Sequence, residues 1–235
     1  MAPQLPNTRI VCVMDREADF FELFDEQRRK PRVDLLVRAK HDRLLEGKQK
    51  FFEVVREGPA LGHLKIPVPR QSARPKRSKQ KASEGRDERL AEVVLRYQAI
   101  EFRPPKHMPD KAPITLWVVH VREEAAPEGA KPLEWFLLTT GEITTVEEAE
   151  EILSWYAKRW RIEDFHRVLK SGCQIEDLAN KTAERLKRAI AINLVIAWRI
   201  MLLCLMGREY PNLPAELLFS DLEIRVLKAI AQKKI

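Results

Sequence analysis

The apolar and polar positions of this chain change period several times along its length. Ile10-Val11-Cys12-Val13-Met14 is an unbroken, largely β-branched apolar run, which suits a strand over residues 9–14 buried on both faces. Asp15 follows at its C-terminal end, where open α/β sheets place their chemistry. Residues 16–29 carry Phe20, Phe21, Leu23 and Phe24 and predict a helix packed on that sheet, ended by Pro31. Residues 33–40 predict a second strand, with Arg38 and Lys40 on one face by its period of two.

A different texture begins near residue 44. Short alternating segments at 51–55, 63–68, 90–102 and 113–121 are split by proline, glycine and charge. The alternation is cleanest where Ala91, Val93, Leu95, Tyr97 and Ala99 face one way and Glu92, Arg96 and Gln98 the other, and it predicts an inserted antiparallel β subdomain. Residues 132–139 return to the main body as a strand. Thr145 with Glu148 three residues on is a capping box that opens a helix. Ala149, Leu153, Tyr156 and Trp160 form its packing face, and Gly172 suits its C-cap. A second long helix is expected over about 181–206, then one or two short helices in 214–235. Four segments result: 1–43 and 132–207 as parts of one α/β core, 44–131 as the β insertion, and 208–235 as the start of a further region.

Composition narrows the class. The chain has 235 residues, 45% hydrophobic and 33% charged, which describes a globular protein able to bury a core. A net charge of +7 and a pI near 9.4 favour a polyanionic partner or an acidic membrane surface. Cys12, Cys173 and Cys204 are far apart and form no CxxC, so they read as reduced core thiols of a cytosolic protein. The apolar stretch 189–206 is interrupted by Asn193 and Arg199, which favours a buried helix over a membrane span. Residues 70–81 (RQSARPKRSKQK) carry six basic groups and no acid. Such a run cannot bury itself and reads as a loop of the β insertion, either merely solvated or touching a DNA backbone through Arg74, Lys76, Arg77 and Lys79.

The segment WYAKRWRIEDFHRVLK holds the densest candidate chemistry. At about 100° per residue, Arg159, Glu163 and Lys170 fall within roughly 40° of one another on a helix, and Tyr156 widens the stripe to about 60°. His166 lies on the same stripe and reads as a partly buried polar residue. A carboxylate between a guanidinium and an ammonium suits a metal ion docked with a phosphate. It also suits an exposed face laced by i,i+4 ion pairs. The stripe spells Tyr, two residues, Arg, three residues, Glu, six residues, Lys, and upstream stands Asp15-Arg16-Glu17-Ala18-Asp19. In that order the two motifs resemble those of the DDE transposases of bacterial insertion sequences, of the insertion-sequence-four type, in the branch that includes the transposon-five transposase. The resemblance runs through VDLLVRAKHDR and PLEWFLLT and covers roughly residues 9 to 205.

The resemblance implies a ribonuclease-H-like core with an inserted β subdomain and C-terminal helices. It implies Mg²⁺, with Mn²⁺ able to substitute, held by Asp15 as second carboxylate and Glu163 as third. Hard oxygen ligands of this kind suit Mg²⁺, and two such ions can activate the attacking oxygen and neutralise the leaving one. The alternative for Asp15 is a helix N-cap after a strand; Glu17 and Asp19 read as first-turn acids facing a helix dipole. Arg159, Lys170 and Tyr156 would contact the DNA of transposon ends, Arg38 and Lys40 would lie near the same backbone, and Trp135 and Trp160 would either stack on a flipped base or pack in the core.

The departures from that pattern matter equally. The family's first carboxylate lies on an earlier strand, whereas none of the fourteen residues before Asp15 is Asp or Glu. The chain therefore reads as the middle of a transposase, with the end-recognition domain missing, the C-terminal dimerisation region barely begun, and a sheet edge exposed where earlier strands would pair. Little cleavage or strand-transfer activity is expected of it alone. The competing reading is a non-catalytic DNA-binding or inhibitory protein that forms a homodimer or mixed oligomers with a full-length enzyme. An unrelated metal nuclease would need a different ligand cluster, and none is visible.

Overall fold

The computed structural model describes residues 8–68, 85 and 87–232. The basic residues Arg74, Lys76, Arg77 and Lys79 lie outside them. The chain divides into two compact units, Met1–Lys158 and Arg159–Ile235.

The first unit is built on one six-stranded sheet. Its strands are β1 (Val11–Met14), β2 (Asp34–Arg38), β3 (Gly62–Val68), β4 (Arg89–Phe102), β5 (Ile114–Glu123) and β6 (Glu134–Thr139), in the order β1-β2-β6-β5-β4-β3. β1 and β2 are parallel, with Val11 opposite Asp34 and Met14 opposite Val37. Every other pairing is antiparallel. The parallel pair needs a crossover, which is supplied by a 3-10 turn at Arg16–Ala18 and the helix α1 (Phe21–Arg29). The long strands β3, β4 and β5, which fall in the segment expected as an inserted antiparallel β subdomain, continue the same sheet beyond β6.

Side-chain alternation buries both faces of this sheet. Val37, Val118, Phe136 and Leu138 face α1 and the helix α2 (Phe51–Glu57), where Phe21, Phe24, Phe51 and Val55 complete an apolar layer. Leu36, Val119, Val121 and Leu137 point the other way, toward the helix α3 (Val146–Lys158), which contributes Ala149, Ile152, Leu153 and Tyr156. Residues 51–55 are helical rather than extended. The pair Phe51-Phe52 cannot be split between two faces of a strand here, because both rings pack against Phe136 from one side. β1, expected to be buried on both faces, instead lies at the sheet edge with Cys12 exposed. The covering helices lie over the central strands.

The second unit is helical. It contains α4 (Arg161–Arg167), a π-helical segment Val168–Gly172, a 3-10 turn Ile175–Asp177, α5 (Ala183–Glu209), a 3-10 turn Ala215–Leu217 and α6 (Asp221–Gln232). α5 packs on α4 and on the π segment. The single signature helix expected from Thr145 to Gly172 is thus two helices, and Gly172 lies inside the π segment while Cys173 caps it. α5 is long and apolar enough to cross a membrane by length and composition, with a mean hydropathy of 2.2. It is not the buried helix the sequence suggested: Ile192, Val195, Ile196 and Trp198 are exposed and only Ala197 is buried. Cys173 is half-buried and Cys204 exposed, so the thiols are not core thiols.

Candidate functional site

Asp15 ends β1 and is exposed. Its Oδ1 accepts the Glu17 N–H at 2.9 Å, so the carboxylate caps the following 3-10 turn. This is the capping role weighed against metal binding, and an exposed hard-oxygen donor at a strand end remains chemically suited to Mg²⁺. Two residues on, Glu17 pairs with Lys40 Nζ at 3.1 Å.

Asp19 has a larger role than a first-turn acid. It is 2% exposed. Its Oδ2 accepts the backbone N–H groups of Lys40 (2.6 Å) and His41 (2.9 Å), and its Oδ1 pairs with Arg43. The acid therefore ties the turn after Asp15 to the chain leaving β2. The signal in the sequence was an acid two positions before an aromatic helix start, too common to single out.

Arg38, Trp135 and Tyr156 come together in the first unit. The Arg38 guanidinium sits 5.9 Å from the Trp135 ring centroid, and its Nη2 donates to the Glu134 carbonyl at 3.4 Å. Trp135 is half-buried and meets Tyr156 edge-on at 5.2 Å. Tyr156 is 2% exposed and belongs to the core layer under α3.

Arg159, Trp160 and Glu163 come together in the second unit. Arg159 Nη2 donates to Glu163 Oε1 at 3.1 Å, and its guanidinium lies 5.2 Å from the Trp160 ring. Trp160 is 44% exposed and Glu163 is exposed. Lys170 does not join them, because its Nζ pairs with Glu176 at 2.8 Å. The winding there is π rather than α, with Cys173 N–H donating to the Val168 carbonyl five residues back, and Glu163 and Lys170 are in any case about 10 Å apart along a helix axis. His166 is exposed rather than partly buried. Among the described residues, no three His, Cys, Asp or Glu side chains cluster as a metal site.

A second polar cluster escaped the sequence reading. On the face of the sheet covered by α2, Glu134 accepts two hydrogen bonds from Arg56 (2.8 and 2.9 Å) and one from His120 Nε2 (3.1 Å). The Arg56 guanidinium, with help from His120, holds the Glu134 carboxyl down at about 2. His120 is fully buried and stacks on Phe136 with centroids 4.4 Å apart. Burial pushes its pKa down to about 4, against the pull of Glu134. Comparison with known families gives one finding: a family model described as Transposase DDE domain matches residues 2–199.

Proposed function

The chain belongs to the family of the transposase DDE domain, and on that premise we propose that it works on the phosphodiester backbone of double-stranded DNA at transposon ends. A role in DNA transposition follows from the family. The finer reading assigns Asp15 and Glu163 as ligands of a divalent cation, Mg²⁺ with Mn²⁺ as substitute, on a ribonuclease-H-like core. Its main support is Asp15, an exposed carboxylate at the C-terminal end of a parallel strand, opening the first of two motifs in the family's order. Two carboxylates with water and substrate oxygens meet the needs of Mg²⁺. When bound, the cation would supply Lewis-acid activation and charge neutralisation at the phosphate.

The chain's own residues would bind and orient DNA. Arg38, Lys40, Arg159 and Lys170 offer charge-assisted hydrogen bonds to phosphate oxygens, as do Arg74, Lys76, Arg77 and Lys79 of the basic run. Trp135 and Trp160 offer faces for base stacking. Tyr156, its ring against Trp135, would seat that indole. Mn²⁺ titration of the labelled protein tests the ligand assignment: paramagnetic broadening should reach the side-chain carboxyl signals of both Asp15 and Glu163 and be lost for each in D15N and E163Q. Broadening confined to other acids would discard it.

A second reading, a non-catalytic DNA-binding or inhibitory form, is favoured by one observation: Asp15 caps the 3-10 turn after β1, its Oδ1 accepting the Glu17 N–H at 2.9 Å, which is a structural role for that carboxylate. It should bind end-bearing duplex DNA yet nick it poorly in Mg²⁺ or Mn²⁺. Robust specific nicking would refute the inhibitory form and support the catalytic one.

A further inference from the structure

Lys40 and Lys170 each carry an acid partner from a neighbouring turn. Lys40 Nζ donates to both carboxylate oxygens of Glu17, at 3.1 and 3.2 Å. Lys170 Nζ pairs with Glu176 at 2.8 Å. Neither pair is sealed. The Glu17 and Lys40 side chains are 79% and 43% exposed, and those of Glu176 and Lys170 are 67% and 59% exposed. An anion from solvent can therefore reach either ammonium without any opening of the fold.

Ordered backbone brings each acid to its lysine. Around the first pair, Asp15 Oδ1 holds the Glu17 N–H, and the Ala18 N–H donates to the Asp15 carbonyl at 3.2 Å. Buried Asp19 closes the same turn and accepts the Lys40 and His41 N–H groups. The Ala39 N–H donates to the Phe136 carbonyl at 2.8 Å, which fixes the chain just before Lys40. Around the second pair, Gln174 stands in the left-handed region at φ 49°, uncommon for a residue with a side chain. It turns the chain between the π segment and the 3-10 turn Ile175–Asp177, where the Asp177 N–H donates to the Gln174 carbonyl at 3.0 Å. A lysine and an acid tethered in this way meet at a high effective concentration, and only side-chain rotamers remain to be ordered.

On the reading of Lys40 and Lys170 as phosphate contacts, we propose that Glu17 and Glu176 are internal stand-ins for DNA phosphate, displaced when the duplex docks. A carboxylate and a phosphate diester each offer the ammonium one negative charge and a pair of oxygens, so the two compete for it. An exposed ion pair contributes little, so each acid lowers DNA affinity by a small factor and does not block binding. Together they set how tightly the protein holds duplex at a given salt concentration. Arg159 differs, because its partner Glu163 is itself the proposed cation ligand.

The test is the affinity of the full chain for a fluorescent duplex, read by anisotropy at low salt, where surface charges are least screened. Glu17→Gln and Glu176→Gln should each tighten binding about two- to fivefold, the range of an exposed ion pair. Removing any acid raises the net positive charge, so Glu26→Gln supplies the control: Glu26 is held by Lys30 at 2.9 Å, and neither has a part in the DNA reading. Lys40→Gln and Lys170→Gln should weaken binding. In a Lys40→Gln background, Glu17→Gln should gain no more than Glu26→Gln does, and likewise Glu176→Gln in a Lys170→Gln background. All five side chains are exposed, so the variants keep the fold, which circular dichroism checks. Unchanged affinity in both lysine variants would remove Lys40 and Lys170 from the DNA interface, and the stand-in role with them. Weakening in the lysine variants, with acid variants that gain no more than Glu26→Gln or still gain without the lysine, would overturn the stand-in role alone. The DNA contacts would then stand.

Discussion

Asp19 and His120 show what single side chains contribute here. Asp19→Ala removes the acceptor of two backbone N–H groups and strands the half-buried Arg43. Loss of one partner of a buried pair costs about 3 kcal/mol or more, so urea unfolding should show a drop of that size. Asp19→Asn, which keeps an acceptor, should lose less. A drop within error of zero for Asp19→Ala would refute the anchoring role. The His120–Glu134 pair sets an acid limit on stability. His120 has a folded pKa of about 4 against an ordinary 6.5, so as pH falls through that window the unfolded chain takes up a proton that the folded one refuses. Glu134 has a folded pKa of about 2 against an ordinary 4.5, so its contribution is full above 4.5 and lost as pH falls toward 2. Both act in one direction: stability should decline from about pH 6.5 downward, and His120→Phe should flatten the upper part of that decline. A stability maximum below pH 5 would contradict this assignment.

At the scale of elements, helix entry is written locally and helix continuity is not. The expected capping box is present, with Glu148 N–H donating to Thr145 Oγ1 at 3.2 Å and Thr145 N–H donating to Glu148 Oε2 at 3.3 Å. Ser220 and Glu223 form a second box before α6, which the pattern of the tail did not single out. Thr145→Ala should lower stability by about 1 kcal/mol in denaturant unfolding, whereas Ser220→Ala, at the start of an exposed helix in the other unit, should leave the transition of residues 1–158 unmoved. Equal effects on that transition would contradict the division at Lys158. The break between α3 and α4, and the π turn at Val168–Gly172, left no trace in composition. A motif spaced on an ideal 100° wheel overestimates how many of its members share a face once winding changes.

For the whole molecule, charge and membership in the transposase DDE family combine. If the basic side chains neutralise Z phosphates, the binding constant for duplex DNA should fall with a log–log salt slope of about −0.9Z. Replacing Arg74, Lys76, Arg77 and Lys79 together by Gln should make the slope shallower by several units if all four touch phosphates. An unchanged slope would make the run a solvated loop only. β1 at the sheet edge leaves backbone groups on one side without a strand partner among the described residues, and an unpaired edge invites pairing with another chain. α5 and α6 add exposed Ile192, Val195, Trp198, Leu222 and Val226.

The sequence by itself determined the elements whose signal is local. The strand before Asp15, the alternation of Ala91 to Ala99 and the Thr145 cap were legible because a period of two or a capping pair needs only neighbouring residues. Tertiary structure alone decided which faces those elements bury. It made 51–57 a helix, left Cys12 and α5 uncovered, put Tyr156 beneath Trp135, and brought Arg56, His120 and Glu134 together from three elements. The reason is that burial and ion pairing depend on which strand lies beside which. That order, β1-β2-β6-β5-β4-β3, joins residues separated by up to about a hundred positions in the chain, beyond the reach of any periodicity.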